Sequence, residues 1–337
     1  MNFSSPPAVA SVAKNGNPRP FWSVMIPTYN PPADYLEQTL RSVLGQDPGK
    51  QEMQIEVVDD FSPKVDVAAL VRQIAGDRVS VYRSPVNRGL AGSWNICIER
   101  ARGEWVHILH QDDLVLPGFY QRLKSSLPTQ PQVGAAFCRH ALVNSSGHWL
   151  RLSELHHESC GILENGRQKI AVEQIILTPA IVVRRSAYEQ LGGFSAHLCY
   201  VLDWEMWQRI AARFSIWFEP RILAAYRVHE ASATSRLILE AADVRDVRTM
   251  IELVGPNYPR HLAADWIRRA RAYYANVAMH QNRELLVEGH WRAAWRRCWH
   301  TFEMNPGWRV PAGGFSLFIL QLRLLASLLK RQLKSKL

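Results

Sequence analysis

The feature that most constrains this chain is a regular alternation between Trp22 and Leu109, where four short apolar runs are separated by three segments of helical periodicity. Ser23-Val24-Met25-Ile26, Ile55-Glu56-Val57-Val58, Val79-Ser80-Val81-Tyr82 and Trp105-Val106-His107-Ile108-Leu109 read as strands. Between the first two, residues 34–44 place Leu36, Leu40, Val43 and Leu44 at spacings of three and four, and Gly45 ends the helix. Residues 66–74 and 91–102 supply the other two helices. Near-continuous apolar strands joined by helices imply an α/β fold with a mostly parallel central sheet flanked by helices. In such sheets ligands bind outside the carboxyl ends of the strands. Thr28, Tyr29, Asn30, Asp59, Asp60, Asn87, Arg88 and the Asp112-Asp113 pair all follow strands, so one crevice is expected to gather them.

The later text is less regular. Residues 133–140, 180–183 and 222–228 read as strands, residues 203–214 as a helix, and residues 150–168 as a long polar connection carrying His156 and His157. Beyond about Ala231 the pattern is helical, without strand punctuation. Three regions are therefore expected: a flexible leader over 1–20, an α/β domain over 21–230, and a helical C-terminal region over 231–337. The leader is rich in Ser, Pro, Ala and Asn and holds no apolar run long enough for a signal-peptide core.

Composition matters chiefly for what it excludes. The 337 residues are 47% hydrophobic, which argues against disorder and for a folded enzyme. Five scattered cysteines form no CxxC pair, so neither a zinc site nor a disulfide framework is expected, and a reducing, cytoplasmic setting fits best. A net charge of +10 suits nucleic acid, an anionic membrane or an anionic substrate. Much of it lies late in the chain, interleaved with Trp266, Trp291, Trp295, Trp299 and Trp308 and without a recognition motif, so no nucleic-acid partner is expected. The run from Phe315 to Leu329 is short, is broken by Arg323 and leads into Lys330, Arg331 and Lys334. It does not suit a membrane span. It suits an interfacial helix docking peripherally on the inner face of an anionic membrane, and equally a helical bundle that packs its tryptophans inward.

The strongest chemical signal is His110-Gln111-Asp112-Asp113, in which an apolar strand delivers two adjacent carboxylates. Neighbouring acids repel unless a cation sits beside them, and a hard divalent ion with oxygen ligands, Mn²⁺ or Mg²⁺, meets that need. A surface turn, or a helix cap with Asp113 placed before Leu114, accounts for the same residues. Asp59-Asp60 ends a second strand, where a carboxylate can accept hydrogen bonds from a base imide or a ribose hydroxyl. A helix-capping turn is again the alternative.

Taken together these segments resemble the family-2 glycosyltransferases, which have the GT-A fold. Ser23-Val24-Met25-Ile26-Pro27-Thr28-Tyr29-Asn30 looks like their opening strand and nucleotide-facing turn. Val57-Val58-Asp59-Asp60-Phe61-Ser62 is similar to their VDDGS segment, with Phe61 in place of Gly. Asn87-Arg88-Gly89 through Asn95 matches their NxG…N stretch, and His110-Gln111-Asp112-Asp113 their DxD-type metal motif. Leu202-Asp203-Trp204-Glu205 through Arg209 resembles their EDxxxWxxR pattern, with Leu202 replacing Glu, and Tyr226-Arg227-Val228-His229 looks like the YRxH segment that ends many catalytic domains.

The resemblance spans about Trp22 to His229 and implies an inverting transfer from a nucleotide-diphosphate sugar to a hydroxyl of a glycan or lipid-linked acceptor. Its site residues carry over as nucleotide contacts at Pro27, Thr28, Tyr29, Asn30, Asp59, Arg88, Asn95 and Asp112. Asp113 and His229 become metal ligands, and Arg227 a stabiliser of leaving phosphate charge. Asp203 becomes the general base with Glu205 as the fallback. Two further functions compete. A sugar-nucleotide pyrophosphorylase would be expected to open with a Gly-rich phosphate loop, which Ile26-Pro27-Thr28-Tyr29 does not supply. A catalytically inactive nucleotide-binding GT-A module fits everything except the joint presence of Asp113 and Asp203.

Overall fold

The computed structural model describes residues 5–12, 18–127 and 130–305, and the chain divides into two compact units, Met1–His229 and Glu230–Leu337. In the first unit, β1 (Trp22–Thr28), β2 (Met53–Asp59), β3 (Ser80–Arg83) and β4 (Trp105–Ile108) lie side by side in the order β3-β2-β1-β4, all parallel. The register pairs Thr28 with Asp59 at the last rung of β1 and β2, so both strands end level. Between them run α1 (Ala33–Leu44), α2 (Val67–Ala75) and α3 (Gly89–Arg100). The spacing of apolar residues explains what each buries. Leu36, Leu40 and Val43 of α1 and Val67 and Val71 of α2 join the core with Val24, Ile26, Ile55 and Val57. Asp66 caps α2 by accepting from Ala69 N at 3.0 Å. Ahead of β4, Gly103 is a place where only glycine fits: a Cβ there would lie 2.5 Å from Ser23 N, where Ser23 Oγ accepts from Gly103 N at 2.7 Å.

Past β4 the unit continues as β5 (Leu114–Val115), α4 (Phe119–Ser126), β6 (Val133–Val143), β7 (Trp149–Leu152), β8 (Gly161–Ile162), α5 (Gly166–Val172), β9 (Ile181–Arg184), α6 (Arg185–Leu191), α7 (Leu202–Arg213) and β10 (Ser215–Arg227). The sheet extends to β3-β2-β1-β4-β9-β6-β10-β5, with β7 paired to β6 and β8 to β10. Parallel pairing holds for β3-β2-β1-β4 and again for β6 with β10, while β9, β5, β7 and β8 pair antiparallel. The long connection expected over 150–168 thus contains two short strands. Strand β10 starts at Ser215, seven residues ahead of its expected start at 222. Its ladder with β6 shifts register between Glu219 and Ile222, around Pro220, which has no N–H to offer the ladder and so hides the strand's first half in the sequence.

Part of the stretch expected to be a flexible leader is bonded to the unit. Gly193 N donates to Pro7 O at 2.8 Å, Arg185 Nη2 to Ala10 O at 3.0 Å, and Arg19 to the carbonyls of Arg102 and Gly103.

The second unit is helical, with α8 (Ala233–Leu239), α9 (Ala242–Val254), α10 (Ala263–Val287) and α11 (Trp291–Met304). Its centre is polar. Arg297 and Asp243, both fully buried, form an ion pair, with Tyr274 Oη donating to Asp243 at 2.9 Å and Asn282 Oδ1 accepting from Arg297 at 2.9 Å. Among the described residues no helix is long and apolar enough to cross a membrane. The Phe315–Leu329 run and its basic end lie outside the described residues.

Candidate active site at the strand ends

The carboxyl ends of β1, β2 and β4 bring the expected residues to one edge, and hydrogen bonds between the turns tie them together. Asp60 N donates to Thr28 O at 2.8 Å, Asn30 N to Ser62 Oγ at 2.8 Å, and Lys64 N to Asn30 Oδ1 at 3.0 Å, joining the turns after β1 and β2. Gln111, just past β4, holds the main chain of Tyr29 from both sides, accepting from Tyr29 N at 2.8 Å and donating to Tyr29 O at 3.4 Å. The β4 end and the β1 turn are therefore joined by a side chain as well as by the β1–β4 ladder.

Within this frame the two acidic pairs differ. Asp59 is buried, and its carboxylate is engaged on both oxygens: Oδ1 accepts from Ser62 N at 2.9 Å and Oδ2 from Arg83 Nη1 at 2.6 Å. Asp60 accepts from Arg88 N at 2.7 Å and Gly89 N at 2.9 Å, so it caps the start of α3, and burial outweighs those bonds to raise its pKa. Pro27 and Thr28 are buried in β1, with Thr28 Oγ1 bonded to Ile26 O at 3.2 Å. Side chains left open on this edge are Tyr29, Arg88 and Phe61, together with Arg83 beside them. Two of the expected residues are engaged by the protein itself. Asn95 bonds both ways to the backbone of Phe194, at 3.0 and 2.7 Å, so its amide pins α3 to the 192–195 turn. Arg227 is buried, and its guanidinium donates to Asp112 O, Ser145 O and Gln38 Oε1 at 2.9, 3.1 and 2.8 Å. Through the Asp112 carbonyl it is tied to the acidic turn.

The second acidic pair is arranged otherwise. His110, Asp112 and Asp113 each present one ligand atom, all within 4.8 Å of one another. Asp113 is buried; Oδ1 accepts from Arg227 N at 2.9 Å, while Oδ2 lies 3.2 Å from His110 Nδ1 without an aligned donor. Burial, with the repulsion of Asp112, pushes its pKa up to about 6 against the pull of His110. His110 is raised too: burial opposes its charge, and Asp113, Asp112 and Asp203 overcome that. His229 stands beside the trio, its Nε2 2.9 Å from Asp112 Oδ2. An orphaned buried oxygen, a pair of acids and a histidine form a donor set that fits a divalent cation. His110 was not among the expected ligands. Its adjacency to the acidic pair in the sequence was the signal available.

Asp203 opens α7, is buried, and accepts from Trp204 N at 2.7 Å, from Gln174 Nε2 at 3.2 Å on each oxygen and from Thr178 Oγ1 at 3.4 Å. Burial pushes its pKa up to about 6, and His110 is among the groups holding it down, so the carboxyl feels the same imidazole as Asp113. The alternative acid, Glu205, is spent on a two-pronged pair with Arg209 at 2.6 and 2.9 Å. Around Asp203 and the acidic turn, Trp94 Nε1, His110 Nε2 and Trp207 Nε1 are buried without a hydrogen-bond partner. The Trp94 ring lies 4.9 Å from both His110 and Phe194, and Phe194 lies 6.3 Å from Trp207. Buried polar groups left unpaired are costly and uncommon, so they mark this part of the unit as unusual.

Comparison with known proteins shows the family and the fold. Residues 23–192 match the model of "Glycosyl transferase family 2". An uncharacterized protein of Mycobacterium tuberculosis, MT1568, is 30% identical over 279 residues, covering 77% of this chain and 85% of that protein. Among solved structures, S. aureus TarS 1–349 in complex with UDP-GlcNAc superposes with a TM-score of 0.54 at 16% identity, over 86% of this chain and 91% of that one. The mannosyltransferase PcManGT from Pyrobaculum calidifontis, in complex with GDP-Man and Mn²⁺, gives 0.55 at 19% identity, over 90% and 89%. Both share the GT-A fold.

Proposed function

This chain belongs to glycosyl transferase family 2, and from that premise we propose that it transfers a sugar, with inversion, from a nucleoside-diphosphate sugar to a hydroxyl of a glycan or lipid-linked acceptor. The observation that carries the proposal is geometric: His110, Asp112 and Asp113 bring ligand atoms within 4.8 Å of one another at the strand ends, and a buried carboxyl, Asp203, opens α7 in the same unit. In this reading Asp113 serves the donor's diphosphate end and Asp203 the acceptor.

In this reading Asp203 removes the proton of the acceptor hydroxyl as that oxygen attacks the anomeric carbon. The bond from that carbon to the β-phosphate oxygen breaks, and the bonding pair leaves with the nucleoside diphosphate. Gln174 and Thr178 aim the carboxylate. A divalent cation, Mn²⁺ or Mg²⁺, would be held by Asp113, Asp112 and His110, with His229 orienting Asp112, and would supply Lewis-acid neutralisation of the diphosphate. The exposed groups beside β1 and β2, Tyr29 and Phe61, and the main chain near Arg88 bound the nucleoside end. Support for the donor class comes from the superposed relatives, solved in complex with UDP-GlcNAc and with GDP-Man and Mn²⁺.

The α11 helix favours peripheral contact with an anionic membrane: Trp295, Trp299 and Phe302 are each more than half exposed, alongside Arg292 and Arg296. Aromatic and cationic side chains together suit a headgroup boundary.

The test is calorimetry with UDP-, GDP- and dTDP-sugars, with and without Mn²⁺, on the wild type and on Asp113→Ala, followed by assay of nucleoside-diphosphate release. Metal-dependent binding of one nucleotide class that is lost in the variant, with turnover, supports the proposal. Binding without turnover on any hydroxyl acceptor favours an inactive nucleotide-binding module.

A further inference from the structure

The turns after β1 and β2 are matched in an unusual way. Thr28 and Asp59 are the last register partners, so Asn30 and Phe61 stand two residues beyond the same rung, and both adopt left-handed backbone, φ 45° and φ 63°. Asn tolerates that region because its short polar side chain bonds locally, and here Asn30 Oδ1 accepts from Lys64 N. Phe61 has no such compensation. For a bulky residue this conformation is a genuine outlier, and such outliers persist where function holds them.

Nor does the fold need the ring. The bonds that shape the turn are Ser62 N to Asp59 Oδ1, Asp60 N to Thr28 O and Asn30 N to Ser62 Oγ, none of which involves a side chain at position 61. The Arg83 guanidinium lies 5.1 Å from the Phe61 ring centroid, but Asp59 Oδ2 and Ser62 O already fix it at 2.6 and 2.9 Å. The ring remains 43% exposed, on the same edge as Tyr29, which is 47% exposed. A strained, solvent-facing aromatic contributes little to a core, and glycine would relieve the strain.

We propose that Phe61 is a nucleobase-stacking residue: with Tyr29 it walls the slot in which the donor's base sits, beside the Arg83–Asp59 pair. The inference rests on the donor-site reading given above and goes beyond it by assigning affinity for the base to the residue at which this chain departs from the glycine of the related motif. Stacking on an aromatic face gains affinity for any base, so Phe61 sets how tightly the nucleoside end is held, and hydrogen-bonding groups nearby set which base is preferred.

The experiment compares wild type, Phe61→Gly and Phe61→Tyr. Each is titrated calorimetrically with UDP, GDP, dTDP and, for the diphosphate end alone, inorganic pyrophosphate, all with Mn²⁺; thermal unfolding is recorded in parallel. Phe61→Gly is expected to lose roughly ten- to a hundredfold affinity for the preferred nucleoside diphosphate. Its affinity for pyrophosphate stays unchanged and its Tm is equal to or above that of wild type, because the strain is gone. Phe61→Tyr is expected to restore nucleotide affinity. Equal nucleotide affinity in wild type and Phe61→Gly overturns the inference while leaving the donor-site reading intact. A wild type that binds none of the three nucleoside diphosphates removes that reading and this inference with it.

Discussion

Asp203 and Asp113 are both raised to about 6 by burial, and the two predictions they support have different signs for function and for stability. As a base, Asp203 works only ionised. The rate at subsaturating substrate is therefore expected to fall about tenfold per pH unit below about 6, and Asp203→Asn to lose about 10²- to 10⁴-fold in kcat with nucleotide affinity retained. A pH–rate profile and calorimetry on the variant check both. For Asp113 the sign runs through folding. Its pKa is higher folded than unfolded, so between about 4 and 6 the folded state holds a proton that the unfolded chain has released, and metal-free stability falls as pH rises through that window. Asp113→Asn is thus expected to match or exceed the metal-free wild type in Tm at a pH of about 7.5, well above that window, and to lose the Tm increase that Mn²⁺ gives the wild type. The sequence made both acids legible, since each stands at the end of an apolar run or the start of a periodic one. It could not show that Arg83 also engages Asp59, or that Asn95 and Arg227 are consumed by neighbours, because Arg83, Phe194, Gln38 and Ser145 are brought to them by tertiary packing and leave no local pattern.

At the scale of elements, the first four strands and three helices were readable because each keeps one period cleanly. The second half was harder for physical reasons. Strand β10 is interrupted at Pro220, β5 and β8 are two residues long, and the exposed β7 carries apolar side chains on both faces, so none of them alternates recognisably. The helical unit shows a related limit: its centre is the Arg297–Asp243 pair, and a buried charge is invisible to apolar periodicity. Removing one partner leaves the other uncompensated. Arg297→Ala is expected to destabilise the helical unit by about 3–5 kcal/mol in urea unfolding monitored by tryptophan fluorescence. The double variant Arg297→Met with Asp243→Leu is expected to recover much of that loss, since it removes the buried charge altogether.

Over the whole molecule, the net charge of +10 gains meaning from its placement. On α11, Arg292 and Arg296 stand beside exposed Trp295 and Trp299, so the membrane contact proposed above would be salt-sensitive and interfacial. Flotation with vesicles containing anionic lipid is expected to carry the protein at low ionic strength, less so at about 1 M salt, where screening is nearly complete, and less in a Trp295→Ala, Trp299→Ala variant; equal recovery of that variant would remove α11 from the contact.

The clamp of Gln111 on the main chain of Tyr29 has a practical meaning for donor engineering. Because the turn that presents Asp112 and Asp113 also grips the turn after β1, the donor-site reading proposed above would carry a built-in ruler between its two ends. Libraries at position 61 retune grip on the base without altering that ruler. Substitution at position 111 would loosen the grip on the β1 turn, while the β1–β4 ladder still holds the two strand ends in register.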